Sequence, residues 1–460
     1  MSSGINMYRR WYSLAVLVLL TTLSVRVMAE TILVDESCSL FDAITAANAD
    51  SASNGCPAGS GADTISLPAA STITITGPVT NRFGQVLPYG LPAITSAITI
   101  EGNGSAIERD DAPETQVFRI FEVHSTAVMS LKNLTVRNGL SGTNSSGGGI
   151  ANRGSLTLFN VTVSENNADS ENNTGGGAGG INNNTNGVLI IIDSTIRDNT
   201  AKHGGGGIVN RGVLTIENSV ISGNKSVNGG GGGILSFFGK TATIFATTIE
   251  DNTSASGGAG LQSLGTTRVT QSVFRGNHSE TIGGGIHSQD SLTISNSTLS
   301  GNTADISGGG LTGQDIVTLI NTTVTNNTGG GISRAGAIPP VFNNTIIANN
   351  EAADCSNIPD YVDTGNNWFS DTSCNGTADG DPQLGPLADN GGPTWTHALL
   401  DGSGAINAGD IAICSADPVD SKDQRGNPRP EPDGSQCDIG AFELQDAAPP
   451  PEDVFEDSFE

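Results

Sequence analysis

The sequence predicts an all-β protein, a right-handed parallel β-helix (solenoid) with a short N-terminal helical cap and a disulfide-bearing C-terminal cap. Three observations lead to this fold class. Glycine clusters ending in isoleucine or leucine recur every 21 to 31 residues, short alternating strands follow each cluster, and asparagine returns at one position of every repeat. A repeat of this length is typical of a solenoid, whose units bury their apolar faces only by stacking.

The parallel β-helix repeats extend over residues 126–350. Their glycine clusters lead into Ile150, Ile181, Ile208, Ile234, Leu261, Ile286, Leu311 and Ile332, and segments such as GVLTIENSVISGN follow. Apolar and polar residues alternate there, which is the periodicity of a strand. Glycine makes up 62 of 460 residues, against a usual ~7%, and we assign it to the turns between strands.

Two polar rows run through the repeats. The more regular one is asparagine in every unit: Asn166, Asn199, Asn224, Asn252, Asn277, Asn302, Asn327 and Asn349. We predict an inward ladder at a turn, because equivalent positions of stacked coils lie ~4.8 Å apart and an amide can bond to its copies above and below. A solvent-facing ligand row is the alternative. The more varied row lies six residues earlier: Asn160, Asp193, Asn218, Ala246, Gln271, Asn296, Asn321 and Asn343.

Residues 1–29 have the pattern of a secretory signal peptide. Arg9 and Arg10 precede an apolar run from Trp11 to Leu23, and the small residue Ala29 marks the expected cleavage site. The run is short for a membrane-spanning helix, which needs ~20 residues. A retained N-terminal anchor, which Arg26 would favour, is the alternative. We expect a mature chain without a transmembrane segment that is secreted or displayed on the outer cell surface.

Six cysteines are typical of an exported protein. They fall into three neighbouring pairs in the sequence, although six cysteines permit 15 connectivities. None of the pairs has the spacing of zinc ligands. We predict structural disulfides between sequence neighbours, namely Cys38–Cys56, Cys355–Cys374 and Cys414–Cys437.

The flanks of the repeats predict caps. Residues 30–125 form the N-terminal cap and the first irregular coils; Leu40, Ile44 and Ala47 share a helical face, and Ser39 can cap the helix. Such a helix would cover the first strand edge. Residues 351–445 form the C-terminal cap. The acidic tail, residues 446–460, is either a disordered solubilising segment or a sorting signal.

Three segments resemble known families. CSLFDAITAAN at residues 38–48 resembles the CSLREA motif of secreted β-helix proteins, with Phe41 and Asp42 replacing the usual Arg-Glu pair. The glycine-apolar steps resemble the repeats of chlamydial polymorphic outer membrane proteins and the wider group of parallel β-helices that includes pectate lyases. Residues 380–443, with DQRGNPRP and CDIGAFE, resemble the choice-of-anchor Q domain, from which Asp401, Gly404 and Asn407 depart. These resemblances imply a secreted or surface protein.

Composition restricts the partners. The net charge of −27 argues against nucleic acid, whose phosphates need a cationic face. Threonine, serine and asparagine dominate the outward positions, which favours adhesin-like binding of carbohydrate or a surface protein with no catalysis. The alternative, implied by the resemblance to pectate lyases, is an extracellular polysaccharide lyase or hydrolase that acts in a groove along the β-helix. The sequence leaves the ligand and the oligomeric state open.

A lyase would need converging carboxylates for Ca²⁺ and a basic residue to accept a proton. The only candidates are weak: Arg153 and Arg211, which hold one offset two coils apart, and Asp193 with Asp198 on the coil between. We interpret both arginines as solvated turn residues. We therefore predict no catalytic residue and no cofactor, with Ca²⁺ required only by the lyase alternative.

Overall fold

The chain winds into a parallel β-solenoid, which confirms the predicted all-β fold class. The computed structural model describes residues 30–142, 147–169, 176–358, 361–363, 366–374, 376–431 and 436–445. The predicted signal peptide and acidic tail lie outside these residues. Within them, no helix is both long enough and apolar enough to cross a membrane.

Each regular coil adds one strand to each of four stacked ladders, which we name A to D in chain order. In the coil that begins at Ile208 these strands are Ile208–Asn210, Val213–Glu217, Val220–Ser222 and Lys225–Ser226. Neighbouring coils pair in parallel and in register, so that Ile208 lies beside Ile234. This register converts each repeated residue type into a row along the solenoid.

Ladders A and D are separate sheets of ten and seven strands. The strands of ladder A are Phe121–Val123, Ile150–Asn152, Ile181–Asn183, Ile208–Asn210, Ile234–Ser236, Leu261–Ser263, Ile286–Ser288, Leu311–Gly313, Ile332–Arg334 and Cys355–Ser356. The strands of ladder D are Leu140–Ser141, Asn167–Ala168, Thr200–Ala201, Lys225–Ser226, Thr253–Ser254, His278–Ser279 and Thr303–Ala304.

Ladders B and C together form a sheet of 22 strands, because three long strands run through both: Ala97–Arg109, Val128–Arg137 and Ser155–Ser164. Ladder B also contains Thr31–Leu33, Ala62–Ser66, Val188–Ile192, Val213–Glu217, Thr241–Phe245, Thr266–Thr270, Leu292–Ser295, Val317–Ile320, Val341–Asn343 and Val362–Asp363. Ladder C also contains Thr72–Ile75, Thr195–Arg197, Val220–Ser222, Thr248–Glu250, Val273–Arg275, Thr298–Ser300, Thr323–Thr325, Ile346–Ala348 and Trp368–Phe369.

The inward side chains of the ladders form one continuous apolar core. Its rows repeat from coil to coil, as at Ile150, Ile181 and Ile208 in ladder A, all without solvent exposure. Burial of such a side chain contributes about 1.5–3 kcal/mol. The strict register keeps each row on the same side of the backbone, so the core is as regular as the sequence repeat.

Left-handed residues turn the chain from ladder B to ladder C. They are the varied polar row of the sequence: Asn160, Asp193, Asn218, Ala246, Gln271, Asn296 and Asn321 have φ between 44° and 52°. In the last coil this position belongs to Asn344, with φ 47°, and not to Asn343 as the sequence spacing suggested. Ile320 pairs with Asn343, so the bend falls one residue later.

The invariant asparagine row lies inside the turn from ladder C to ladder D. Asn199 donates from Nδ2 to Asn224 Oδ1 at 3.0 Å, and Asn224 donates in the same way to Asn252 at 3.0 Å. Each Oδ1 also accepts the backbone N–H of the preceding coil, as Asn224 Oδ1 does from Asn199. The members from Asn166 to Asn327 are at most 1% exposed. The row is therefore the predicted inward ladder.

The last member of this ladder is Asn350, not Asn349. Asn327 donates from Nδ2 to Asn350 Oδ1 at 2.9 Å, whereas Asn349 is exposed and adopts φ 58°. Thr325 pairs with Ala348, so the ladder position falls on the second residue of the Asn349-Asn350 doublet. Asn349 instead takes the left-handed place that Glu165 and Gly223 hold in earlier coils.

A short helix covers the N-terminal end of the solenoid, as predicted. Helix α1, Leu40–Ala49, buries Leu40, Ile44 and Ala47, and Ser39 accepts the N–H of Asp42 as its N-cap. The Cys38–Cys56 disulfide closes the segment around the helix. The apolar face of α1 thus covers the core at the first coils.

The C-terminal region has two parts. The end of the core is covered by Phe342, Tyr361 and Phe369, whose ring centres lie 5.3–6.3 Å apart, beside the Cys355–Cys374 disulfide. The second part, residues 382–445, lies along the outer side of ladder C, and we call it the side segment. It contains an antiparallel pair, Leu384–Ala388 with Thr396–Leu399, helix α2 at Ile411–Ser415, and the Cys414–Cys437 disulfide.

The side segment contacts several successive coils. Gln271 donates to the carbonyl of Asp423 at 2.9 Å, Ser300 Oγ contacts His397 Nε2 at 2.9 Å, and Thr323 Oγ1 accepts the N–H of Ala441 at 3.0 Å. Ladder C is consequently buried in these later coils and open to solvent in the earlier ones, where Thr195 and Val220 are half-buried. The described C-terminal region is thus an end cap with an extension along one side.

Candidate functional site

A row of solvent-accessible side chains follows ladder A, where each coil turns toward ladder B. We call it the edge row, and its members are His124, Arg153, Asn184, Arg211, Phe237, Leu264, Gln289 and Gln314. Their backbone N–H groups bond in regular steps to the preceding coil, for example Arg153 to the carbonyl of Val123 at 2.9 Å. The row therefore presents cations, an aromatic ring and amides in one line, with ~4.8 Å between neighbours.

A buried carboxylate holds the guanidinium of Arg153 in place. Its guanidinium contacts Glu122, which also accepts from Arg119 Nη1 at 2.7 Å. The side chains of Glu122 and Arg119 are 4% exposed, whereas that of Arg153 is 49% exposed. Because the carboxylate fixes the guanidinium, Arg153 presents N–H donors to solvent without losing much side-chain entropy on binding.

The local electrostatics are positive on a strongly negative protein. Two arginines share one carboxylate, so the cluster carries an excess of one positive charge. Burial, together with the charge of Arg153, lowers the pKa of Arg119 to about 10. Burial raises the pKa of the Tyr89 phenol, while Arg119 and Arg153 act against that rise. Tyr89 therefore belongs to the same electrostatic neighbourhood.

A groove of about 430 Å³ lies beside Arg153. Ser125, Asn184, Thr185 and Asn186 line it together with Arg153. The four lining residues other than Arg153 carry amide or hydroxyl groups, which donate and accept hydrogen bonds. The groove can therefore hold a hydroxyl-rich ligand and direct an acidic group of that ligand toward the guanidinium, in a charge-assisted contact.

Arg211 is not the solvated turn residue that the sequence suggested. It donates from Nη1 to Asn182 Oδ1 at 2.6 Å and from Nη2 to the carbonyl of Gly176 at 2.8 Å, and it stacks over Phe237 at 4.2 Å. Burial lowers its pKa. Arg211 thus ties a glycine-rich loop to the edge row, and Phe237 offers an aromatic surface next to it.

The four weak catalytic candidates do not converge. Asp193 and Asp198 lie at the left-handed bends before and after ladder C, with φ 49° and 55°. The five-residue strand Val188–Ile192 separates the edge row from Asp193, a distance of ~16 Å at 3.3 Å per residue. Asp193 accepts from Asn218 Nδ2 at 2.5 Å, and Asp198 pairs with Arg197 at 2.6 Å. Their surroundings are those of structural turn residues.

Glu122 and Arg119 are the site residues that sequence reasoning missed. Glu122 pairs with Ala151 in ladder A, two residues before the edge row. It lies in the irregular coils that precede the first clear glycine cluster, where the repeat gives no register. Tyr89, opposite Arg119 in a parallel bridge, lies further into the same region. In the residues that the structure describes, no group of three or more His, Cys, Asp or Glu side chains is arranged to hold a metal ion.

Comparisons with known proteins found similarity among solved structures. No family model and no curated protein matches the sequence. The crystal structure of pectate lyase Pel9A is similar over 83% of this chain and 88% of that one, with 15% sequence identity and a TM-score of 0.44. A similarity at this level carries no substrate and no residue role to this chain.

Proposed function

We propose that the mature protein is an exported, adhesin-like β-solenoid that binds carbohydrate in the Arg153 groove and does not cleave it. One observation carries the proposal: Arg153 is fixed by buried Glu122 yet half exposed, beside a groove of amide and hydroxyl groups. That combination suits a polysaccharide with carboxylate or sulfate groups, because the hydroxyls find hydrogen-bond partners and the acid finds a guanidinium.

Export is supported by the disulfides and by the sequence motifs. All six cysteines are paired in the structure, as Cys38–Cys56, Cys355–Cys374 and Cys414–Cys437. Disulfides persist mainly in oxidising compartments. The CSLREA-like helix and the choice-of-anchor Q-like side segment favour the same location. Mass spectrometry of material released from the producing cell should find a chain that begins at Glu30; an intact Met1 in the membrane would contradict this.

The placement of the acidic residues favours binding over catalysis. A lyase or hydrolase in the Arg153 groove would need a second group to transfer a proton or to hold Ca²⁺. The strand Val188–Ile192 separates Asp193 and Asp198 from that groove. Glu122 already forms ion pairs with Arg119 and Arg153. These positions support a static recognition surface.

A glycan array with neutral, uronic-acid and sulfated polysaccharides tests the proposal. We expect acidic glycans to bind and the Arg153→Gln variant to weaken that binding about tenfold, because a hydrogen bond to a charged group contributes about 1.5–3 kcal/mol. Arg197→Gln is the matched control, since Arg197 is an exposed arginine of ladder C paired with Asp198. It should bind like the unaltered protein.

The same glycans decide whether the bound chain is cut. Incubation with pectate and alginate, with and without Ca²⁺, should leave the polymer length unchanged and give no unsaturated product. Release of unsaturated oligosaccharides would establish the lyase alternative. Equal binding by the Arg153→Gln and Arg197→Gln variants would refute the assignment of the groove.

A further inference from the structure

A buried carboxylate in the first coil lacks a full set of partners. Asp63, on strand Ala62–Ser66, is 2% exposed. Its Oδ1 accepts the N–H of Ser60 at 2.7 Å and that of Glu30 at 3.3 Å. Its Oδ2 is buried and has no hydrogen-bond partner among the residues that the structure describes. An unpaired buried polar atom is costly, and a buried charge without a counter-ion is more so.

The space around Oδ2 is closed by the chain itself. A Cβ atom at Gly59 would lie 2.4 Å from Oδ2 and 2.8 Å from the Cα of Ala47 in helix α1. Glycine at position 59 thus permits the close approach of this loop to the carboxylate and the helix. The carboxylate is enclosed between the loop, the helix and the backbone nitrogen of Glu30.

The strand register fixes that nitrogen in place. The carbonyl of Glu30 accepts the N–H of Thr64 at 2.8 Å, and the next residue, Thr31, pairs with Thr64 in ladder B. Glu30 is also the residue that the predicted signal-peptide cleavage makes the first of the mature chain. As a peptide nitrogen it has one N–H and no charge. As a free terminus it would have three N–H groups and a positive charge.

We propose that removal of the signal peptide completes the first coil, because the new α-ammonium group of Glu30 forms an ion pair with the buried carboxylate of Asp63. The inference rests on the proposed export of the protein. A signal peptidase adds water across the Ala29–Glu30 bond, which leaves a carboxylate on Ala29 and an amine on Glu30 that takes up a proton. The α-amino group, with an ordinary pKa of about 8, is positively charged at neutral pH, and the neighbouring carboxylate strengthens that preference.

The test compares two chains that differ by one residue. One begins at Glu30 and the other retains Ala29, each released by a protease from a removable fusion in an oxidising compartment. We expect the Glu30 chain to melt about 3 °C higher, because the new ammonium group gives the buried carboxylate of Asp63 a counter-ion. The difference should disappear with Asp63→Asn and persist with Asp50→Asn, which removes a nearby exposed carboxylate that accepts the N–H of Gly61.

A pH profile separates the ion pair from a merely structural effect. The pair raises the folded-state pKa of the ammonium, so the advantage of the Glu30 chain should be complete below about pH 7.5 and disappear as pH rises through the raised value. The other charged side chains on the surrounding elements are Glu30, Asp35, Asp42, Asp50, Glu101, Glu108 and Arg109. A pH-independent advantage would contradict the proposal.

Two further arms keep the outcomes distinct. If Asp63→Asn does not fold, acetylation of the α-amino group in the Glu30 chain removes the charge, and it should lower the melting temperature to that of the Ala29 chain. No change on acetylation would overturn the proposal. Exported material that begins at another residue would refute the cleavage position alone, since the purified Glu30 chain still tests the pairing with Asp63.

Discussion

The solenoid and the side segment are stabilised by different kinds of polar network. In the solenoid, uncharged amides repeat from coil to coil, and each asparagine of the ladder is satisfied by its copies, as Asn224 is by Asn199 and Asn252. In the side segment, charged groups are buried and none repeats. A repeated network distributes the stability over many equivalent links, whereas a single network concentrates it in a few residues.

The network of the side segment is built from the residues of its two motifs. Arg429 is fully buried, lies 3.2 Å from Glu443 Oε2 through its Nε, and donates to the carbonyl of Gly440 at 2.8 Å. Arg425 pairs with buried Asp423 at 2.7 Å and stacks over Phe442 at 3.6 Å. Residues of DQRGNPRP and CDIGAFE therefore form one buried ionic network. A structural role in this network is enough to explain both motifs.

The largest loss of stability is expected from Arg429→Met. The change leaves Glu443 without its guanidinium partner inside the segment, and breaking a buried pair in this way costs about 3–5 kcal/mol. Residues 382–445 should become sensitive to protease while the coils remain resistant. Arg197→Met, which removes an exposed arginine, serves as the control and should leave both regions resistant.

A somewhat smaller effect is expected from Asn199→Leu in the ladder. The change removes the acceptor of the Asn166 backbone N–H and side chain, at 3.0 Å each. A buried donor left unpaired costs about 1–3 kcal/mol. Because stability in a solenoid is a sum of coil and interface terms, thermal unfolding should split into two steps. A single transition at the original temperature would contradict the ladder's role.

The pH dependence of the side segment should depend on Glu443. Burial raises the pKa of its carboxyl group to about 7, against the opposing charge of Arg429. A raised folded-state pKa means that its stabilising contribution is complete below the ordinary value of 4.5 and disappears as pH rises through about 7. Opening of the segment, measured by hydrogen exchange after correction for intrinsic rates, should increase from pH 5 to 8. Glu443→Gln should reduce that increase; an unchanged profile would exclude Glu443 as its source.

The smallest effect on stability is expected from Asn349→Gly. Asn349 is exposed and lies outside the ladder, and its side chain contacts Asp381 Oδ1 at a long 3.4 Å. A surface change of this kind stays within about 0.5 kcal/mol, because glycine adopts the positive φ of this position without strain. Asn350→Gly should destabilise the protein more, because Asn350 accepts from Asn327 Nδ2 at 2.9 Å. A larger loss of stability at Asn349 than at Asn350 would instead support the register inferred from sequence spacing, in which Asn349 belongs to the ladder.

Periodicity explains which parts of the structure the sequence could predict. The coils, the asparagine ladder and the capping helix follow from local patterns, and the only register errors fall at the doublets Asn343-Asn344 and Asn349-Asn350. There the residue types are identical, and strand pairing with Ile320 and Thr325 decides the register.

Contacts without a repeat escaped prediction. Gln271 and Asp423 are 152 residues apart when they bond, and no local pattern marks that pairing. Glu122 forms an ion pair with Arg153 of the next coil, in a region where the repeat length is irregular. The candidate site therefore appears only when the coils are stacked, although Arg153 itself was visible in the sequence.

Hydrogen exchange by mass spectrometry, applied to Arg429→Met and Asn199→Leu side by side, tests most directly whether the two networks are independent. The hydrogen bonds of the side segment reach the coil of Gln271 and later coils, whereas Asn199 lies three coils earlier. We predict faster exchange confined to residues 382–445 in the first variant and confined to the coils around residues 166–224 in the second. Faster exchange over the whole chain in either variant would contradict the account, because it would mean that the solenoid and the side segment unfold as one unit.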